Sequence, residues 1–595
     1  MSRLPDIPDE SALARLFTQE RVQAEAVWFS LPGGQTLFAA GDASDQLYFL
    51  RAGRLGAFRR EQGHEAQFLG VIRPGEPAGE MSLIAGAPHS ADVVALRDSE
   101  LIAVPRDVFF EACEADTSVM IELAKLMMLR SRQAVTRGGV GEPSVFGFVS
   151  LGQSGALRPL VDRLAREISG LGYTVTSIGA EAQSAPTEWF SDVERTHDFV
   201  LYVAEVADGG WRQVVARQVD RLFRVGRGDR NPPKAEALVD VASPLQAQQL
   251  VDLILVHPPE TVRPSGSEAW MDVADPARLF HLRRDNEGDI QRIARVLAGQ
   301  SVGLVLSGGG ARAYAHVGAV RALRERGVPI DFVGGVSMGA VIAAGVAMGW
   351  DDAELERRIK QAFVDTSPLT DIALPLLAMT HGLKVNERLA HHFGDTHISD
   401  LWLPFFCLSS NLTTGAYQMH RRGLLRRALR ASISLPGILP PATDDQNVLV
   451  DGAVMKNFPA DVMRVSQLGP IVGVDVTTGR SITADDVARP ASVWRWIWSG
   501  EWKKGPPIVS LLMRAATVST SRDLTAARDA TDVLVMPDTS KVEIRDFSAY
   551  APAVAEGYRA TIQALDKLDR PVQALRRRLS LQEQAAKKAL SPTGR

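Results

Sequence analysis

The 595-residue chain contains two cysteines, Cys113 and Cys407, which stand far apart. Two distant thiols build neither a disulfide framework nor a metal motif, and they fit a reducing cytosol. Positive charge is not in excess, since 66 Lys and Arg face 70 Asp and Glu, a net charge of −4. With no basic surplus to track phosphates, a nucleic-acid role is excluded. Apolar runs of about 18 residues, the length a bilayer requires, are absent. The opening MSRLPDIPDESALARLF carries charges where a signal peptide has its apolar core. Histidine runs out early: of eleven, the last is His420. The adjacent pair His391-His392 points in different directions on a helix, so no metal is expected, and no other cofactor. What is present is ordinary globular composition, 45% hydrophobic and 23% charged, enough for roughly three or four domains of about 150 residues.

Residues 1–140 alternate short period-2 strands with glycine turns: Gln35–Ala39, Gln46–Arg51, Arg54–Arg59, Ala66–Ile72, Ala91–Ala95 and Glu100–Pro105. That spacing predicts a small antiparallel β-roll, closed by a helix over Asp107–Thr136. The wording LFAAGDASDQLYFLRAGRL, then PGEPAGEMSLIAGAPHSADVVA, resembles the cyclic nucleotide-binding domain family. The resemblance implies that Glu80 takes the ribose hydroxyl. His89 stands where the family's phosphate-clamping arginine belongs. An arginine offers a permanent charged fork, whereas histidine is mostly neutral at pH 7 and gives a single contact. A ligand sensor and a degenerate docking module are both compatible with this stretch; the missing counter-charge favours the second and argues against a cyclic nucleotide.

Residues 141–290 read as an α/β lobe without visible chemistry. Strands are expected at Val145–Leu151, Tyr173–Ile178, Asp198–Val206 and Leu253–Val256, alternating with helices, which implies a parallel sheet. Gly226-Arg227-Gly228-Asp229 reads as a surface turn, and Arg278–Asp289 as a charged connector.

Residues 291–570 hold the chemistry. The apolar run Val302–Leu306 empties into Gly308, Gly309 and Gly310, followed by Arg312 and Ala313. A second run, Phe332–Gly334, leads into Gly335-Val336-Ser337-Met338-Gly339 and a small-residue helix, the strand–turn–helix context that G-x-S-x-G requires to expose a serine oxygen. Gly308–Ala313 also fits a dinucleotide fingerprint with Asp331 about 20 residues on, but Asp331 precedes its apolar run where a ribose-binding acid should end one. A nucleophilic serine needs a base, and the usual chain order of serine, acid, histidine has no histidine to finish with. What comes late is a strand, Asn447–Val450, ending in Asp451-Gly452-Ala453.

These three motifs in this order resemble the patatin-like phospholipase family, over about Ser301–Tyr558. The resemblance implies a three-layer α/β/α catalytic domain in a multidomain α/β chain, with Ser337 as nucleophile and Asp451 as general base. Gly308, Gly309, Gly310 and Arg312 would form the oxyanion loop. Ala313 departs from the family's glycine. His397–Pro404, Leu429–Pro441 and Asn457–Asp461 are similar to the neuropathy target esterase branch, which couples such a domain to cyclic nucleotide-binding-like domains and hydrolyses phospholipids and lysophospholipids. The expected activity is a serine esterase on a lipid substrate; a neutral-lipid lipase or acyltransferase on the same dyad, or a non-catalytic regulatory protein, are the alternatives. Trp494, Trp496, Trp498 and Trp502 lie beside cations, the composition of an interfacial anchor or of a packed loop. A cytoplasmic protein with peripheral contact to the inner membrane face is expected. Residues 571–595 form a basic helical tail with a solvated face.

Overall fold

The computed structural model describes residues 12–59, 67–136, 143–152, 157–233, 250–365, 371, 373, 378–444, 446–477, 521–544 and 546–590. They divide into two compact units, one of residues 1–226, 233–253 and 579–595, the other of residues 227–232 and 254–578.

The first unit opens with a roll of eight strands: β1 (Val27–Leu31), β2 (Thr36–Phe38), β3 (Gln46–Ala52), β4 (Leu55–Arg59), β5 (Gln67–Ile72), β6 (Pro77–Ala78), β7 (Asp92–Ala95) and β8 (Ser99–Pro105). They form two antiparallel sheets, ordered β1-β8-β3-β6 and β2-β7-β4-β5. Alternate residues turn inward, and Phe38, Leu50, Leu55, Val93 and Leu101 make the core. β1 and β6 were not anticipated. The expected single helix 107–136 is two, Arg106–Ala115 and Thr117–Thr136. It breaks at Asp116, whose carboxylate accepts the Ser118 N–H at 3.0 Å and so offers the backbone a turn instead of a helical bond.

The same unit contains β9 (Val145–Ser150), β10 (Val175–Ile178), β11 (Phe199–Ala204) and β12 (Arg221–Arg227), all parallel in the order β10-β11-β9-β12. The first strand therefore sits inside, with the second and third on one side and the fourth on the other. β12 was not anticipated, and only its last two residues fall in the expected surface turn; its Leu222, Phe223 and Val225 are buried between arginines, which masks the alternation. Buried charge joins roll and lobe: Arg54 and Arg97 both reach Asp220, and Arg97 also reaches Glu194. Burial raises the Asp220 carboxyl, but the two guanidinium groups and the Ser144 N–H overcome it and hold it at about 2.

The chain leaves this unit within β13 (Leu250–His257). In the second unit, the supposed connector is a strand, β14 (Arg278–Arg283), whose buried Phe280 and Leu282 lie between its two terminal arginines. Eight further strands form one mixed sheet: β15 (Gly303–Leu306), β16 (Phe332–Val336), β17 (Phe405–Asn411), β18 (Ala416–His420), β19 (Ala442–Asp444), β20 (Asn447–Asp451), β21 (Ile471–Val474) and β22 (Val533–Val535). Their order is β19-β20-β17-β16-β15-β21-β22, with β18 on β17. β15, β16, β17, β21 and β22 are parallel, β18 and β20 run antiparallel to β17, and β19 pairs antiparallel with β20. The helix Met338–Ala347 has all ten residues buried, as an apolar, small-residue sequence without a polar face demands.

Candidate active site

Sheet register brings the predicted residues together. β17 pairs with β16 up to Val336–Leu408, and its next residue, Ser409, pairs with Asp451 at the end of β20. β20 thus takes over the edge of β17 where β16 stops, and β16 stops at Ser337. The Ser337 hydroxyl donates to Asp451 Oδ2 at 2.6 Å, with both residues buried.

Ser337 has φ 55° and ψ −132°, one of three positive-φ non-glycine residues among those described. A side chain in that region is strained by about 1–3 kcal/mol unless its surroundings hold it. They do. The Ser337 N–H donates to the Ser432 hydroxyl at 2.9 Å, and Gly335 and Gly339 let the bend close, since a Cβ on Gly339 would collide with the carbonyls of Leu306 and Ser307. Ser337 stands at the N-terminus of Met338–Ala347, where the helix dipole favours negative charge on its oxygen.

Asp451 is fixed on every side. Its second carboxylate oxygen accepts the Ala453 N–H at 2.9 Å. Its own N–H donates to the Ser434 carbonyl, and its carbonyl accepts the Ser410 hydroxyl, both at 2.9 Å. Burial pushes its carboxyl up to about 6, against the opposing hydrogen bonds from Ser337 and Ala453. No cation pairs with it among the described residues, and burial without a counter-charge is what makes a carboxylate a stronger base.

The glycine loop lies against the serine, for a Cβ on Gly308 would come within 3.1 Å of the Ser337 Cβ. Gly308 donates its N–H to the Asn457 carbonyl at 3.2 Å and accepts the Asn457 amide at 3.2 Å. Its own N–H is thereby used, whereas those of Gly309 and Gly310 make no hydrogen bond among the described residues. Gly310 has φ 55°, and a Cβ there would strike the Ile544 carbonyl. Arg312 donates to the Val542 carbonyl at 2.7 Å and so fastens the loop. Ala313 lies buried in the short turn Gly310–Tyr314 without a positive φ, so its methyl costs nothing. Ser432, Ser434 and Asn457 lie inside strings already noted in the sequence, but no role had been read for them. Ser410 had no signal.

Among the described residues no histidine hydrogen-bonds to Ser337 or Asp451. His316 binds the Ser307 carbonyl at 2.8 Å, and burial takes it down to about 4. His420 contacts Ser409 at 2.7 Å. Asp331, the rival ribose ligand, is consumed by Arg295 and by the Val302 N–H. Among the described residues no group of side chains could hold a metal. In the roll, Glu80 is buried at the start of Glu80–Ala85. His89 is also buried, stacked on Phe38 with ring centroids 3.7 Å apart, and burial lowers its pKa. The four tryptophans at 494, 496, 498 and 502 lie outside the described residues.

Three family models match: patatin-like phospholipase over residues 304–464, cyclic nucleotide-binding domain over 28–116, and the neuropathy target esterase family P-loop like domain over 176–283. An uncharacterized NTE family protein of Mycobacterium tuberculosis (strain CDC 1551 / Oshkosh) is 33% identical over 583 residues, 94% of each chain. The chain belongs to the NTE family. The lysophospholipase NTE1 of Cryptococcus neoformans is 30% identical over 555 residues, 80% of this chain and 34% of that protein, so this NTE-family chain spans about a third of its relative. Among solved structures, the catabolite activator protein of Thermus thermophilus shares 27% identity over 27% of this chain and 67% of its own, with a TM-score of 0.19.

The P-loop like match covers residues 176–283, within the lobe whose sequence shows no visible chemistry. The helix Leu157–Gly170 precedes the matched residues, and its first N–H groups are satisfied within the lobe. Glu205, just past β11, accepts the Leu157 N–H at 2.5 Å and the Arg158 N–H at 3.4 Å.

Proposed function

We propose that this protein is a serine esterase that hydrolyses fatty-acyl esters of lysophospholipids or phospholipids through a Ser337–Asp451 dyad. The observation that carries this reading is the 2.6 Å bond from the Ser337 hydroxyl to a buried carboxylate with no cationic partner among the described residues. In water a carboxylate is too weak a base for a serine; burial narrows the gap. Asp451 takes the proton as the Ser337 oxygen attacks the ester carbonyl. The N–H groups of Gly309 and Gly310, unbonded among the described residues, would receive the developing oxyanion, the task for which a glycine-lined bend beside the nucleophile is suited. Asp451 then returns the proton to the leaving alcohol, leaving acyl-Ser337, and later takes a proton from the water that releases the fatty acid. Phospholipid and lysophospholipid are favoured as substrates because the patatin-like phospholipase match and the lysophospholipase relative coincide over this domain.

The protein meets lipid peripherally, on the cytoplasmic side, with the tryptophans at 494–502 as its anchor. No helix among the described residues is long and apolar enough to cross a membrane. The roll acts as a docking module rather than a cyclic nucleotide receptor, since a cyclic phosphate would meet a neutral, stacked His89.

A fluorophosphonate probe tests the core of the proposal. Wild-type protein should be labelled and release fatty acid from lysophosphatidylcholine, and Ser337→Ala should do neither. A wild type that resists labelling, or a Ser337→Ala protein that retains hydrolysis, defeats it.

A further inference from the structure

The second unit holds a cavity of about 340 Å³ that the dyad does not use. Met348 and Gly349, just beyond the C-terminus of Met338–Ala347, line it with Trp402 and three arginines, Arg283, Arg292 and Arg324. The helix has ten residues, so a rise of about 1.5 Å per residue puts this cavity about 15 Å from Ser337, at the other end of the same helix.

The charge around it does not balance. Arg283 binds Asp289 through two bonds, at 2.8 and 3.2 Å, and Arg292 leans on that same carboxylate at 3.2 Å. Arg324 pairs with Asp352 at 2.7 Å and donates to the Trp350 carbonyl at 2.9 Å. Three guanidinium groups thus share two carboxylates. The nearby Asp331 is occupied by Arg295 at 2.6 Å. His257 and His281, hydrogen-bonded to each other at 2.8 Å, are held by burial at about 4 and about 3 and bring no charge at neutral pH. Arg292 is only 6% exposed. It donates to the His281 carbonyl, but its Nε has no partner among the described residues. A buried cation that is neither fully bonded nor matched in charge is costly to keep, and an anion relieves both deficits.

We propose that this cavity binds a small ligand through a phosphate group, held by Arg292 together with Arg283 and Arg324. Planar guanidinium forks match phosphate oxygens, and three of them offer more donors than a two-oxygen carboxylate can use. A volume of about 340 Å³ lies at the small end of ligand sites, enough for a phosphate bearing a compact organic group. Free phosphate and the phosphodiester of a lipid headgroup present the same chemistry.

Calorimetric titration of the full chain distinguishes them, with inorganic phosphate and glycerophosphocholine as probes at an ionic strength fixed by chloride. At least one should bind saturably to wild type and equally to Ser337→Ala. Arg324→Gln changes an arginine more exposed than Arg292, and Arg292→Lys keeps the charge while removing the fork. Each should weaken binding at least tenfold, and should one fail to fold, the other decides. Binding of the diester marks a headgroup site, and binding of inorganic phosphate alone marks a free-phosphate site. Failure of both probes to bind wild type, or affinity unchanged in the folded arginine variants, overturns the proposal.

Discussion

The pH at which Asp451 loses its proton should set the acid limb of activity. Burial raises this carboxyl from 3.8 to about 6, and a general base works only when ionised. About nine tenths of the dyad is then competent at pH 7 and about one tenth at pH 5, a tenfold fall in kcat/KM centred near pH 6. A pH-stat assay with an uncharged short-chain ester reads this without titration of the substrate. The same shift is linked to stability. A carboxyl whose folded pKa is raised contributes stability below about pH 4 that is lost as pH rises through 6, by about 3 kcal/mol for a shift of about two units. Asp451→Asn should therefore be inactive, and its stability relative to wild type should rise between pH 4 and pH 7 by up to that amount. Hydrogen exchange in β16 and β20 across a denaturant series measures it. His420→Gln should keep the acid limb, excluding the histidine nearest in register. A limb centred near pH 4, or one that disappears with His420, would refute the reasoning.

Ser432→Ala removes the hydrogen bond that fixes the Ser337 N–H, worth about 0.5–1.5 kcal/mol, and should lower kcat by roughly two- to tenfold with KM little changed. Gly310→Ala places a methyl against the Ile544 carbonyl at a positive φ, and displacement of the oxyanion donors should cost about 10²–10³ in kcat while probe labelling slows in parallel. Arg97→Ala leaves the half-buried Glu194 without its ion-pair partner and should destabilise the first unit by up to about 3 kcal/mol, read as lost amide protection in β8 and β12. Cyclic AMP should show no saturable binding to the full chain up to about 1 mM, and a calorimetric isotherm below that would restore the sensor role, since the stacked His89 offers the phosphate no charge.

How much of this was legible varied with the physics. The serine elbow and the glycine loop were readable because backbone strain at a fixed spot admits few residue types. The absence of histidine beyond position 420 directed attention to Asp451. The resemblance to a family supplied the order of motifs, and register then explained it. Other features left no local trace. Ser432 and Ser410 act through hydrogen bonds across long sequence separations, and a serine in a helix or strand signals nothing by itself. β12 and β14 were passed over because arginines flank their buried apolar residues and break the alternation that marks a strand. The strand order β10-β11-β9-β12 belongs to topology rather than pattern, since four strands joined by three helices fit several parallel sheets equally well. Ala313 was a concern only while its φ was unknown.

The proposed use of aspartate in place of histidine has a structural reason in this sheet. An aspartate side chain is short, so its backbone must come close to the nucleophile. A parallel strand beside β16 could not end there, because β17 already occupies that edge. Instead β20 arrives antiparallel on β17 just where β16 stops, and delivers Asp451 one residue past the Val336–Leu408 pair. That junction lies in the middle of the sheet, where water has no access, and the dry position raises the carboxyl to about 6. Proximity and basicity therefore come from the same placement. A variant that let water reach Asp451 would lower its pKa and improve stability at neutral pH, while making it a weaker base for Ser337.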